Sequence, residues 1–587
     1  SSMGYKDTFE STVVANLDFD QKLDFITKGL SFKALISFKN WSYNSKYRLQ
    51  GYNTYQLTDY TKNEDGTYNY TVNSIGDATN HTLDSFFGTD GDRRFYIQGY
   101  FNYDRAFGDH HVGGMLLYNQ DEYNSNVNSS LLNSLPKRRM GIAVRAAYDY
   151  ANRYLFEFNA GYNGSENFAK GHRFGFFPSV SVGWNISQEK FWEPIRNIVS
   201  NFKIRGSYGL VGNDQVPYTR FLYMGITTLN DSPSYQTGYG SHKESHNGPT
   251  FSRFENEDMT WEVGHKLNVG ADIQLFNSLN LTVDAFREIR SNILTTKGSI
   301  PNYLGAAKTV IYGNFAKVKN WGVDLAVDYG KQINRDLSIQ FKGTFTFARN
   351  RVMETDEAAD IRPALSAVGK PLNTLWGYVA DGLYIDEAGI ANNPTSTLGN
   401  ITIAAGDVKY VDQPDVNGNY DGQIDSDDRV AIGHPTIPEI IYGFGPSITW
   451  KKWDFSVFFQ GQANVSLMMS GFEPFGTQSK NNVLEWIAED YWSKENQNPN
   501  AKYPRLTKYN NNNNMQSSTY WLRNAAFLKL KNAEVGYNFK WGRVYMSGTN
   551  LLTFSPFKLW DPEMGGGKGM AYPTQRTFNL GVQITFK

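Results

Sequence analysis

The stretch Thr577-Phe578-Asn579-Leu580-Gly581-Val582-Gln583-Ile584-Thr585-Phe586 alternates without a fault. Phe578, Leu580, Val582, Ile584 and Phe586 share one face, and Thr577, Asn579, Gly581, Gln583 and Thr585 share the other. Successive strand residues point to opposite sides, so the segment has one apolar and one polar surface. Such a strand suits a sandwich or a barrel. At about ten residues it is also long enough to cross a bilayer at a tilt.

Composition narrows the choice. A soluble chain of 587 residues normally divides into domains, but no Pro/Ser-rich hinge, charge block or fixed-period repeat divides this one, so 1–587 reads as one unit. The mean hydropathy of −0.51 and the lack of any long apolar run exclude helical membrane spans. A transmembrane barrel escapes that test because only alternate residues meet lipid, and 15% aromatics fit the girdles at its rims. Zero cysteine excludes a disulfide framework and thiolate metal sites, and a net charge of −1 gives no footprint for nucleic acid. No signal-peptide pattern stands at Ser1, so a secreted chain would have lost one or begun upstream.

Upstream of the terminal strand the pattern repeats as paired strands. Gly141 to Tyr150 turns at Ala151-Asn152-Arg153 into Tyr154 to Tyr162; Trp261 to Leu275 turns at Phe276-Asn277-Ser278 into Leu279 to Arg290. Trp321 to Tyr329 turns at Asn334-Arg335-Asp336 into Leu337 to Phe347, where Phe341 and Phe345 oppose Lys342 and Thr344. The first strand is expected over Thr12 to Phe25, with a long loop after Phe38 reaching to about Arg94. A polar run from Val352 to Pro438 contains no comparable hairpin, and Asn510 to Asn514 reads as low complexity. The count comes to about seventeen strands, with short turns at one end and long loops at the other, the asymmetry of an outer-membrane barrel. A sandwich predicts loops of similar length at both ends. Counted back from a terminal strand that ends in the periplasm, the first strand also descends. An intact barrel starts from the periplasm with an even strand number, so the chain is expected to begin part-way round.

The terminal aromatic strand also looks like the C-terminal insertion signal of outer-membrane barrels, and further motifs name a family. Arg173-Phe174-Gly175-Phe176-Phe177-Pro178-Ser179, Gly183-Trp184-Asn185-Ile186-Ser187, and the segment from Arg205 to Asn213 (RGSYGLVGN) resemble the SusC/RagA family of TonB-linked outer-membrane proteins. So do Val318 to Val323, Val368-Gly369-Lys370-Pro371, Gly406-Asp407-Val408-Lys409-Tyr410, Leu528 to Gly536, Asn550-Leu551-Leu552-Thr553, Asp561-Pro562-Glu563 and Tyr572-Pro573, in order along nearly the whole chain. The resemblance implies an all-β transmembrane antiparallel barrel of about 22 strands around an N-terminal plug. It implies a multi-pass protein of the bacterial outer membrane, in contact with the lipid bilayer, that imports glycan or peptide fragments. Its implied partners are a SusD-like lipoprotein lid and an inner-membrane TonB complex reached through a missing N-terminal part. A homodimer of transporter–lipoprotein pairs is one implied assembly. The plug and TonB box are not in this sequence.

Candidate sites lie in the loops. Within the long extracellular loop at 352–438, the segment 415–428 follows the twelve-place calcium pattern. Asn417, Asn419, Asp421, Asp425 and Asp428 supply oxygens at places 1, 3, 5, 9 and 12, with Gln423 between them, Gly422 at the sharp turn and Ile424 at place 8. Calcium needs six or more hard oxygen donors, so a structural calcium is expected there. Asp415 substitutes for the missing acid at place 1, and place 12 is Asp rather than Glu. The alternative is a solvated acidic turn. Trp376, Tyr378, Trp486, Tyr491 and Trp492 lie in polar loops, where they could stack on substrate or pack inside the loops. Gly565-Gly566-Gly567-Lys568-Gly569 lacks the Ser or Thr and the spacing of a phosphate loop, and the eight His are scattered. No catalytic constellation assembles, so import is expected rather than enzymatic chemistry. A surface hydrolase or a passive porin are the competing readings.

Overall fold

A computed structural model describes residues 4–586 except 50, 77–83, 127–130, 216–219, 299–310, 359–360, 472–482 and 508–509. Seventeen strands form one antiparallel sheet in which strands consecutive along the chain pair, with the loop hairpins and short ladders left out. It starts with Gly4–Lys22 and Leu30–Leu49, continues through hairpins such as Lys137–Tyr150 with Tyr154–Ser165, and ends with Gly542–Phe554 and Thr577–Ile584. This is the barrel-forming meander that the alternation implied, at the expected strand number.

The register keeps the two faces separate. Leu580 pairs with Met546 and Val582 with Val544 on one face, while Asn579 pairs with Ser547 and Gln583 with Arg543 on the other. Leu580 and Val582 are 80% and 62% exposed, and Phe345 and Ile584 are exposed too; Phe341 is half-buried beside Pro446. These side chains form the outer, lipid-directed face. The polar face carries ion pairs instead. Arg205 bonds Asp272 and Asp284, Arg145 bonds Glu157, and His111 sits between Asp104 and Asp149.

Two short turns show why the end opposite the long loops can be so tight. Ala151 and Asn152 both have φ near +50° (51° and 54°), as do Phe276 and Asn277 (53° and 54°). Two successive left-handed residues make the turn whose twist matches that of the flanking strands. Asn tolerates this conformation; Ala151 and Phe276 are held in it by the strands they join.

Several strands outrun their expected limits. The first is Gly4–Lys22, and Leu23 to Leu30 form the turn, with the Leu23 amide on the Leu30 carbonyl at 2.8 Å. Leu30–Leu49 and Asp84–Phe107 take in both ends of the region read as loop, and Thr54–Lys62 with Tyr68–Gly76 make a hairpin between them. Past the apolar alternation these strands are rich in Tyr, Ser, Asn and Thr, whose ladders extend above the membrane without leaving any periodic apolar signal. Gly4–Lys22 pairs only with Leu30–Leu49, and Thr577–Ile584 only with Gly542–Phe554, so among the described residues the sheet has two unpaired edges. Among the described residues no helix is long and apolar enough to span a membrane.

Candidate functional site

The long loops at 354–440, 463–527 and 554–577 fold against one another into a body with its own core. One apolar cluster joins Val465, Leu467 and Met469 to Ile487, Tyr503, Trp521 and Phe557. A second joins Tyr378, Leu383, Val408, Tyr410 and Ile424 to Trp492 and Ala501, and Tyr520 packs on both. The polar run after Val352 is therefore not shapeless. Short ladders of Leu375–Gly377 with Val430–Ile432 and of Ala380–Leu383 with Val408–Tyr410 organise it, and Thr395–Ser396 runs parallel to Gln423–Ile424.

A buried carboxylate holds the loops together. Asp407 is fully buried and accepts from Arg505 Nε at 2.7 Å and Nη2 at 2.9 Å, from Asn511 Nδ2 at 2.8 Å and from Asn514 Nδ2 at 2.9 Å. The Ala404 amide donates to it as well. Asn514 returns its Oδ1 to the Val408 amide, Asn513 Nδ2 donates to the Val408 carbonyl, and the Tyr410 hydroxyl donates to the Asn513 carbonyl at 2.6 Å. Burial pushes the Tyr410 phenol up. Every donor here is neutral or cationic and faces the charge, which is how a buried carboxylate is tolerated. The Asn run is thus a packed interlock. Its compositional signature is that of a loop, because nothing in a row of Asn reveals that three of them are buried.

The expected aromatics divide. Tyr378 and Trp492 are 3% and 6% exposed, members of the second core, with their faces spent on packing. Trp486 and Tyr491 pack against the first core and remain half-exposed, and Trp376 is half-exposed in its short ladder. A notch of about 290 Å³ opens between Gly382, Asn500, Lys502, Tyr520 and Arg523. Burial lowers the Arg523 guanidinium and raises the Tyr520 phenol, whose hydroxyl donates to the Ala501 carbonyl at 2.7 Å. Arg523 and Tyr520 carried no motif that would have singled them out.

In the acidic loop each carboxylate expected to bind the ion already holds a backbone amide. Asp415 Oδ1 accepts from Asn417 and Asn419, Asp421 Oδ1 from Gln423, and Asp425 Oδ1 from Asp427. Asp428 accepts from Gln413 at 2.7 Å and from Asp425 at 2.8 Å. Arg362 bonds Asp427 at 2.9 Å. Asn417, Asn419 and Gln423 are exposed. Asp412, not foreseen as part of this set, is buried; its Oδ2 accepts from Gly422 while its Oδ1 has no partner. Burial, reinforced by Asp412 and Asp425, raises the Asp428 carboxyl above its usual range. Among the described residues no three His, Cys, Asp or Glu side chains gather as a metal set, so any cation here would rely on Asn, carbonyl and water oxygens as well.

The last loop is pinned by charge. Lys529, fully buried in its strand, donates to Asp561 at 2.7 Å and to Glu563, and Lys531 reaches Glu563 at 3.3 Å. The glycine run beyond meets the strand-like segment at Met468, where the Gly567 amide donates to the Met468 carbonyl at 2.8 Å.

Comparison with known proteins matches this architecture. A family model described as "TonB dependent receptor-like, beta-barrel" covers residues 2–551. The TonB-dependent receptor P3 of Formosa agariphila is 26% identical over 479 residues, 75% of this chain and 45% of the relative. The TonB-dependent receptor SusC of Bacteroides thetaiotaomicron is 24% identical over 464 residues, 75% of this chain and 43% of the relative. Among solved structures, the RagAB peptide transporter superposes with a TM-score of 0.72 at 20% identity, covering 99% of this chain and 62% of that one. The chain spans about half the length of the curated relatives it matches.

Proposed function

This chain belongs to the TonB dependent receptor-like β-barrel family of the outer membrane, and from that premise we propose that it forms the wall and mouth of an importer of oligomeric nutrients. The observation that carries this reading is the asymmetry of the sheet: tight turns at one end, and at the other a cross-linked loop body. A passive porin has no need of such a body. The named relatives are receptors and importers, not enzymes.

In this reading the loops capture a glycan or peptide fragment, a SusD-like lipoprotein closes over them, and the TonB complex powers passage through the lumen. The half-exposed Trp376, Trp486 and Tyr491 and the notch at Tyr520 and Arg523 are the loop groups that would touch the cargo. Exposed tyrosines of the hairpin Thr54–Lys62 and Tyr68–Gly76 offer the lid an amphipathic surface. Growth on single oligosaccharides and oligopeptides, with the full-length receptor gene deleted, tests import. Loss of growth on one of them, restored by the intact gene only when TonB is present, is the expected result. Restoration without TonB favours the porin, and unchanged growth on all of them refutes import.

Calcium in the loop 415–428 is a separate proposal, supported by the donor pattern and by the unpaired, buried Oδ1 of Asp412. Calcium is expected to protect that loop of the full-length receptor from proteolysis, an effect reversed by chelator and lost in Asp412→Asn. Identical digestion with and without the ion would reject it.

A further inference from the structure

At the long-loop end, the inner face of four adjacent strands carries a concentration of cations. Arg94 lies opposite Tyr123 and Tyr123 opposite Lys137; one row on, Asp121 lies opposite Arg139 and Arg139 opposite Ser165. These residues alternate with Phe95, Gln120, Glu122 and Met140 on the outer face, and Arg138, at an alternate position too and paired with Glu122, also lines the cavity described next. A cavity of about 370 Å³ opens over the two rows, closed by Glu166, Asn167, Gln215 and Arg220 from the loops, a volume within the range of ligand pockets.

Arg220 builds this cavity from behind. It is 6% exposed, donates from Nη2 to the Pro136 carbonyl at 2.9 Å and to Glu166, and from Nη1 to the Leu135 carbonyl. Its Nε is buried without a partner. Arg94 is held by Asp121 at 2.6 Å and Arg139 by Asp214 at 2.7 Å. Lys137 has no carboxylate within ion-pair distance among the described residues; its ammonium lies 5.8 Å from the centre of the Tyr123 ring. Four inward cations thus face three carboxylates, Asp121, Asp214 and Glu166. At three other places on the inner wall the balance is reversed, with two acids around each of Arg205, Arg543 and His111. A chain of net charge −1 has placed a local positive excess at the mouth of its lumen.

We propose that this cavity is an anion-recognition subsite that takes the carboxylate or sulfate of an acidic oligosaccharide fragment entering the importer. The inference rests on the import reading above. Lys137 supplies the unbalanced point charge, and the fixed guanidinium groups of Arg94 and Arg139 keep N–H groups unused by their acids, while Arg220 spends its Nη groups on carbonyls and Glu166 and adds only its charge. The remaining lining, Ser165, Asn167, Gln215 and Tyr123, is made of hydroxyls and amides suited to sugar hydroxyls, with no apolar pocket for peptide side chains.

Calorimetry on the full-length receptor, copurified with whatever lipoprotein accompanies it, tests this. The probes are tetragalacturonate, a sulfated galactan tetrasaccharide, neutral maltotetraose and tetraglutamate. Binding of an acidic sugar is expected to exceed that of maltotetraose about tenfold or more, and to weaken between about 0.1 and 0.5 M salt. Whichever of the two binds identifies carboxylate or sulfate as the recognised group. Lys137→Gln should lose most of that preference and Lys137→Arg should keep it; Lys137 has no ion-pair partner whose loss would disturb folding. The proposal is overturned if neither acidic sugar binds, if maltotetraose binds equally, if tetraglutamate binds tighter than both sugars, or if Lys137→Gln changes nothing. TonB-dependent uptake of a neutral oligosaccharide alone would remove this subsite and leave the import reading standing.

Discussion

At the scale of single residues, Asp407 bears the largest consequence. Its replacement by Ala takes the carboxylate from the half-buried guanidinium of Arg505, which keeps only the Thr402 carbonyl, and from the buried amides of Asn511 and Asn514. Breaking a buried ion pair from one side costs about 3–5 kcal/mol. Asp407→Ala should therefore open residues 463–527 to protease in intact cells while the strands stay folded; unchanged digestion would show that the interlock is redundant. Asp428 makes a prediction of opposite kind. Its folded pKa lies above its unfolded one, so the loop is favoured while the group is protonated and loses that contribution as pH rises through the folded value. Hydrogen exchange at the Gln413 and Asp425 amides, corrected for intrinsic rate, should be slower just above pH ~4 than at neutrality. Equal protection at both would show that burial of Asp428 has no energetic effect. The donor pattern around Asp428 was legible in sequence, but Asp412, the buried member with a spare oxygen, was not, because burial has no signature in a polar run. Tyr378 and Trp492 teach the same lesson: an aromatic in a polar loop can as readily be the core of that loop.

At the scale of elements, alternation was reliable wherever one face meets lipid. Leu580, Val582 and Ile584 were readable because a slip of one residue would turn the whole set inward. Val582→Arg is expected to cost about 2–4 kcal/mol near the bilayer midplane, read from urea midpoints in liposomes, with Gln583→Arg on the inner face close to neutral. Equal losses at the two positions would mean that both faces meet hydrocarbon. Where the strands rise past the membrane, as in Leu30–Leu49, the ladder continues but neither face meets lipid, so nothing in the sequence marks its length. Turn chemistry was legible at Asn152 and Asn277. The left-handed Ala151 and Phe276 beside them are imposed by the strands.

At the scale of the molecule, two strand edges remain open among the described residues, at Gly4–Lys22 and Thr577–Ile584. Each unpaired N–H or C=O facing hydrocarbon costs several kcal/mol, so in a membrane these edges are expected to be paired or covered. This segment refolded alone is expected to lack the heat-shifted gel mobility of a closed barrel, which the full-length receptor should show; a heat-shifted band from the segment alone would mean that its two edges meet. The loop body has a different reach. Asp407 and Val408 are bonded to Asn511, Asn513 and Asn514 across a whole hairpin of the wall, Ile440–Trp450 with Trp453–Ala463. Neither half of that bond is worth much by itself. Anyone exchanging surface loops between receptors of this kind to redirect what they carry would have to move 354–440 and 463–527 together, as a single cassette. A graft of either one alone would arrive with half of a lock.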